Sequence, residues 1–422
     1  MIWFLTLFPL LLLILGFPFF LLLLTTSTIV LIFFADVPTT VLHQVMYSSI
    51  DKFALLAVPF FIFAGDIMGK GGISQRLIRW VTSMLGGIRG ALPFTALGTT
   101  AVFSAVSGST AATVAAVGGL TYNKMREAGY SERFASGLLV SSAAIDNLIP
   151  PSIGFILYGI SAETSVVKLF AAGVFPGLLL ALFFGITIYL HVRKGTEGRG
   201  APFSFRELLN STIDGFWSIL APVFVLGGIY SGIFSPTEAA GIACVYAAIV
   251  ALAYKEMGWY EILLSAGRSM VLTAQVFIII AAAGVFSWLL TVNDIPQSLV
   301  RFVMELKVEP WAVLMSINIL LLVVGMFLDT ASSILVLTPL LAPIAKAIGV
   351  DPIHFGVIVI MNLSIGTFTP PFGINIFVGQ AVFKLPLKVI YPGVIPFIIA
   401  AIIALTFVTY IPIISTGILR FI

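Results

Sequence analysis

Apolar residues in this chain come in continuous runs rather than in alternation. The stretches 169–190 and 216–233 carry no charged residue, and each approaches or exceeds the length of about 20 residues with which a helix crosses a hydrocarbon layer. A transmembrane barrel would instead alternate apolar and polar positions. Two further runs are broken in the same way. Ile365-Gly366-Thr367-Phe368-Thr369-Pro370-Pro371-Phe372-Gly373 interrupts one, and Asp146-Asn147-Leu148-Ile149-Pro150-Pro151-Ser152-Ile153-Gly154 interrupts the other. Paired prolines remove backbone donors and bar a continuous helix. Backbone freed in this way inside a bilayer must face protein, water or a bound ion. Matching breaks in two halves of a transporter point to its binding site.

The breaks belong to a longer repeat, because Pro370 lies 220 positions after Pro150. At that offset Thr110 matches Thr330, Ala111 Ala331, Leu120 Leu340 and Gly129 Gly349. Further along, Gly159, Lys168, Gly173 and Pro176 match Gly379, Lys388, Gly393 and Pro396, with no gap.

Short cytoplasmic loops are rich in Lys and Arg. Three basic clusters, Lys70/Arg76/Arg79/Arg89, Lys124/Arg126/Arg133 and Arg193/Lys194/Arg199/Arg206, are read as lying on that side. Only 34 residues, Gly90 to Asn123, join the first cluster to the second. One span would put the flanks on opposite sides, and two full spans need roughly 40 residues plus a turn. The spacing therefore predicts a re-entrant hairpin turning at Ser104–Thr110, with two short spans as the alternative. A second hairpin is expected over 311–343, with its tip at 325–333. Its entrance holds Asp294, Arg301, Glu305, Lys307 and Glu309, and its exit Lys346 against Asp351. Flanks so poor in positive charge fit an extracytoplasmic entrance, so the repeats are expected to be inverted. Further spans at 216–233 and 239–254 are joined by Ser235-Pro236-Thr237-Glu238.

The pattern predicts an all-α polytopic membrane protein with inverted-topology repeats, about eleven membrane helices and two re-entrant hairpins. Its parts are N-terminal scaffold helices (1–69), a first repeat with hairpin and broken helix (70–190), and a cytoplasmic linker (191–206). Central scaffold helices (207–268) and a second repeat (269–422) complete it. Residues 1–34 read as a retained anchor of two short helices around Gly16-Phe17-Pro18, since a signal peptide has a basic start and a shorter apolar core.

Composition agrees with a chain solvated by a lipid bilayer. Of 422 residues 60% are hydrophobic and only 9% charged, against about 25% charged in a soluble domain. The net charge of +3 gives no reason to expect nucleic acid. Cys244 is the only cysteine, and His43, His191 and His354 are too scattered to suggest a transition-metal site.

What chemistry is present lies in small polar side chains. Hydroxyls and free carbonyls suit a hard cation such as sodium, and half-helix N-termini suit a carboxylate. First-half sodium candidates are Ser104, Ser107, Asn147 and Pro150; second-half candidates are Gly325, Asp329, Gly366 and Thr369. Ser109, Thr110, Thr330 and Thr367 are the substrate-binding candidates. For any single Ser or Thr, a bond back to its own helix is the commoner fate. Asp329 is the sharpest residue: a carboxylate inside a span marks an ion pathway or a buried pair, while Asp before Thr330-Ala331-Ser332 also suits a helix N-cap. Its repeat partner is Ser109, giving the second half one more negative ligand. Asp66, Asp146, Glu163 and Glu238 are expected near interfaces or turns.

Several motifs together resemble one family. Gly65-Asp66 with Gly71-Gly72-Ile73, Ser104 to Gly119, Asn147 to Ser152, Ser235 to Gly241, Asp329 to Pro339 and Gly366 to Gly373 look like the large membrane subunit of TRAP (tripartite ATP-independent periplasmic) transporters, across nearly the whole chain. The resemblance implies a sodium-driven, elevator-type secondary transporter of the bacterial inner membrane, with no organic cofactor. It also implies two partners, a small four-helix membrane subunit and a periplasmic binding protein. The substrate implied is a small carboxylate: a C4-dicarboxylate, sialic acid or another sugar acid. Three other readings compete. A stand-alone sodium/dicarboxylate symporter would lack the partners. An enzyme is not expected: an aspartyl intramembrane protease needs a Gly-x-Gly-Asp context that Asp329 and Asp66 lack, and a serine protease needs a membrane-embedded base. A channel fits paired hairpins less well than alternating access does.

Overall fold

A computed structural model describes residues 2–34, 37–194 and 203–421. Arg199 and the middle of the linker, 195–202, lie outside the described residues. Everything regular within them is helical.

The repeat holds at the level of element boundaries. The first hairpin rises through Ala91–Ser107 and returns through Thr110–Thr113, a π-helical turn Val114–Gly118 and Gly119–Glu127. The second rises through Pro310–Phe327 and returns through Thr330–Ala347. Ser107 and Phe327, Thr110 and Thr330, and Glu127 and Ala347 all stand at the repeat offset. Glu132–Ser142 with Ala143–Asn147, then Ile153–Ser161, form the first broken helix. Pro352–Gly366 and Ile374–Phe383 form the second. Both Pro150-Pro151 and Pro370-Pro371 bonds are cis. A long helix follows each break, Val166–Lys194 and Leu387–Tyr410.

Contacts at the ends of these long helices show the inversion. At the base of the first hairpin, a Cβ on Gly90 would touch Val192, and Phe134 stacks on His191 at 3.8 Å. Both flanks of that hairpin thus meet the C-terminal end of Val166–Lys194, the basic end. At the base of the second hairpin, Trp311 O accepts from Tyr410 Oη, and the His354 ring hydrogen-bonds Thr409 O and Ser415 Oγ. His354 is the repeat partner of Phe134, so the second hairpin meets its own long helix in the same way. Tyr158, however, donates to Pro352 O, which ties the base of the second hairpin to the start of Val166–Lys194. Gly393, near the start of the other long helix, packs on Arg133 O and Gly137. The 29-residue helix Val166–Lys194 is about 40 Å long at 1.5 Å per residue, so the hairpins enter from opposite ends of the molecule.

The return arm of each hairpin leans on the other half. Thr330–Ala347 packs against Ile153–Ser161, and Ile374–Phe383 against the π-helical turn of the first return arm. There Phe383 stacks on Tyr122 at 4.6 Å. Around this core stand Ala57–Lys70 against Pro236–Ala253, and Trp259–Val292 against Phe19–Phe33 and Thr40–Ile50. Ser235 and Glu238 form a capping box. At the basic end Arg76 reaches Asp214 and Glu256, and Arg79 reaches Glu207 and Asp214.

Three expectations need adjustment. Among the described residues seven helices, or eight counting one bent pair, have the length and hydropathy of a span. The expected eleven, which left the hairpins aside, is not reached by that measure: two of the seven are the arms of the second hairpin, the broken helices divide into pieces of 11, 9, 15 and 10 residues, and the first two helices have only 13 and 15. The boundary drawn at 268/269 falls inside the continuous 34-residue helix Trp259–Val292. That at 190/191 falls inside Val166–Lys194.

Candidate functional site

Each hairpin tip meets the break of its own half. Gly108 adopts φ +64°, which glycine reaches without strain, and a Cβ there would stand 3.1 Å from Pro151 O. On the other side Gly325 and Gly366 meet backbone to backbone: a Cβ on Gly366 would lie 2.4 Å from Gly325 C. Small residues allow such close helix approach within a membrane.

Between the tips lies a cavity of about 400 Å³. Ser107–Ala112 and Asp329–Ala331 reach it from the hairpins, Asn147 and Gly154 from the first broken helix, and Ile374 from the second. Asp66 and Gln275 close it from the scaffold side.

The candidate residues fall into three groups. Ser107, Ser109, Thr110, Asn147, Asp329 and Thr330 line the cavity. Ser109 and Asp329, repeat partners, each N-cap a return arm; Asp329 accepts from Ser332 N at 3.0 Å. Ser104, Pro150, Gly325, Gly366 and Thr369 stand in the walls behind it. There Ser104 donates to Thr100 O and Thr369 to Ile365 O, the ordinary helical back-bond, which leaves each hydroxyl oxygen able to accept or coordinate. Thr367 forms the third group alone. Expected to bind substrate, it is buried away from the cavity, donating to Ser364 O and accepting from Asn375 Nδ2. Asn375 Oδ1 in turn accepts from Thr110 at 2.8 Å, so one amide ties the second break to the first tip.

Two aspartates expected near interfaces or turns stand close to the site, Asp146 on the turn Ala143–Asn147 and Asp66 in the cavity wall. Asp146 is completely buried beside the first tip. Around it lie the Ser104 and Thr113 hydroxyls and the Ser109 backbone, but neither carboxylate oxygen has a hydrogen-bond partner within bonding geometry. Asp66 pairs with Lys70 and Arg268 at the cavity edge. Asp146 thus puts a carboxylate beside the first tip, while Asp329 stands on the second. Reading for polar tips also missed Asn375, Thr113 and Gln275. Asp146 was within reach, being adjacent to Asn147 in the same break. Asp66 and Gln275 carried no such signal, because distant helices bring them in.

The model of the tripartite ATP-independent periplasmic transporter DctM component matches residues 5–414. This chain belongs to that family. The C4-dicarboxylate TRAP transporter large permease protein DctM of Pseudomonas aeruginosa is 42% identical over 374 residues, covering 88% of this chain and 87% of that protein. The ectoine/5-hydroxyectoine TRAP transporter large permease protein UehC of Ruegeria pomeroyi is 38% identical, covering 92% and 91%. In fold, this DctM-family chain is similar to the Alcanivorax borkumensis YdaH transporter, with a TM-score of 0.72 at 14% identity over 97% of this chain and 99% of that one. The family places the hairpins and broken helices in a multi-pass membrane permease, and relatives named for different substrates share it.

Proposed function

We propose that the chain is the large membrane subunit of a sodium-coupled importer in a bacterial inner membrane. It takes a small organic acid, such as a C4-dicarboxylate or sugar acid, from a periplasmic binding protein and works beside a small four-helix membrane subunit. The observation that carries this reading is the meeting of two repeat-related tips, each against its own break, at one cavity bounded on its far side by scaffold helices. Such a site has polar walls from both halves. A cation bound between tip and break would hold each tip closed through hydroxyl and carbonyl oxygens, as hard cations prefer. The hairpins and broken helices would then move as one block along the scaffold, in the manner of an elevator.

The organic acid is the least constrained part, because a relative as similar as UehC is named for ectoine. The cavity offers no lysine or arginine among its lining residues, so the carboxylate would rest on hydroxyls and the N-termini of the return arms. The test is uptake into proteoliposomes containing both membrane subunits, with binding protein outside and an inward sodium gradient. Uptake without sodium would remove the coupling. Uptake without the binding protein would favour the stand-alone symporter.

A further inference from the structure

Beside the transport cavity the scaffold carries a cluster of charges that neither the tips nor the breaks contribute to. Asp66 lines the cavity near the end of Ala57–Lys70. It pairs with Lys70 one turn further along, and its Oδ2 lies 3.5 Å from Arg268 Nη2 on Trp259–Val292. Lys70 and Arg268 in turn line a second cavity, of about 490 Å³. Glu256 lines it too and reaches Arg76, so this cavity stands at the basic end. The Asp66 pairs thus lie between the two cavities. Arg268 is nine residues into its helix, about 14 Å from the start, and Gln275 of the first cavity is about two turns further in. Cations at such depth in a span mark, by default, the path of an ion or substrate.

The two cations are open to exchange of their carboxylate. The other acidic groups of the second cavity are engaged elsewhere: Glu256 pairs with Arg76 at 3.3 Å, and Glu261 accepts from Gly258 N at 2.7 Å. Asp66 Oδ2 is buried and forms no hydrogen bond, although it faces Arg268. The Lys70 and Arg268 side chains are 45% and 51% exposed, and ion pairs so exposed are individually weak. A guanidinium presents a planar fork that fits a carboxylate with two parallel bonds, and Ser265 Oγ holds that of Arg268 at 2.8 Å. Gly65, next to Asp66, is where the first tip rests on the scaffold, since a Cβ there would stand 3.0 Å from Ser107 O. An acid held by that tip is therefore already beside the pair.

We infer that Lys70 and Arg268 form a second binding site, for the carboxylate of the acid leaving the transport cavity, and that Asp66 occupies this site when no acid is there; this rests on the organic-acid reading above. The acid passes from hydroxyls and helix ends to fixed cations by displacing Asp66. When the acid moves on, Asp66 pairs again and competes with any carboxylate returning from the basic end.

The test uses the complex of both membrane subunits in proteoliposomes, with the binding protein outside. Uptake of radiolabelled succinate or N-acetylneuraminate, whichever the binding protein delivers, is measured with the same unlabelled acid preloaded inside at rising concentration. The internal concentration that halves the initial rate reports occupancy of the inner site. Arg268→Gln should raise that midpoint about tenfold, the factor expected from one lost charge-assisted contact, and Lys70→Gln should raise it by a smaller factor. Asp66→Asn should lower it, because the competing carboxylate is gone. A strut between helices loses the same contact whichever partner is removed, so opposite shifts are specific to a binding site. Unchanged midpoints in Arg268→Gln and Lys70→Gln, or shifts of one sign in Arg268→Gln and Asp66→Asn, overturn the inference and leave a structural pair. Wild-type uptake indifferent to internal acid overturns it as well. If Arg268→Gln yields no folded complex, Lys70→Gln and Asp66→Asn decide by the same rule. A wild-type complex that takes up neither acid sinks the organic-acid reading and the inference with it, whereas failure confined to the variants leaves that reading standing.

Discussion

Replacing Gly366 with alanine tests whether the second tip and its break are pressed together as described. The new Cβ would lie 2.4, 2.5 and 2.6 Å from Gly325 C, Cα and O. Ordinary contact begins at 3.4 Å, so the two backbones must part by about 1 Å, and no flexible side chain can absorb it. Overpacking of this kind costs about 1–3 kcal/mol, and contact with backbone on the opposing helix places Gly366→Ala at the upper end. Gly325→Ala provides the internal control, because its Cβ would meet Gly366 Cα at 3.2 Å and Leu363 atoms at 3.3 and 3.4 Å. That shortfall is a few tenths of an ångström, and its cost should stay below about 1 kcal/mol. Each variant adds one methyl group to the same contact, from opposite sides, so only geometry separates them. Thermal melting of the purified complex and sodium-driven uptake should both fall strongly for Gly366→Ala, and only slightly for Gly325→Ala. Equal effects, or the reverse order, would refute the close backbone approach.

Other substitutions separate roles that the structure superimposes. Asp329→Ser keeps a helix cap, as Ser109 does in the first half, but removes the charge; sodium-dependent uptake should collapse while melting changes by less than about 1 kcal/mol, and normal uptake would reduce Asp329 to a cap. Asn375→Leu deprives Thr110 of an acceptor and Thr367 of a donor; an expected loss of about 1–3 kcal/mol is read as a lower melting temperature, and a wild-type value would mean the bridge contributes nothing. With Cys244 replaced by alanine, single cysteines at Lys124 and Lys346, in the last turns of the two return arms, should label from opposite faces of the membrane. Labelling from the same face would contradict inversion.

Much of the architecture could be read from the chain because its signals were local and repeated. Paired prolines must break a helix wherever they sit, and a fixed offset carried that reading from Pro150 to Pro370. The hairpins followed from arithmetic, since the polar interval at Ser104–Thr110 left too few residues for two spans. Less visible were properties made by contact. Thr367 looked like a cavity residue because it stands in the break, yet its hydroxyl is turned into the Asn375 bridge. Asp146 resembled a turn residue, since polarity in sequence does not distinguish a solvated turn from one closed over by a neighbouring tip. The helix count suffered from the same limit: a span made of two short helices and a span made of one long one differ in structure more than in hydropathy.

The crossing of the return arms has a consequence for how such a chain can change over time. Tyr122 in one half stacks on Phe383 in the other, and a Cβ on Gly154 would meet Ile334. Each half is therefore part of the other's selective environment. A substitution on one return arm is felt at once by the distal piece of the opposite broken helix, and compensation must arise some two hundred residues away. Two matched segments that would otherwise be free to diverge are held to a shared history by the surface on which they meet.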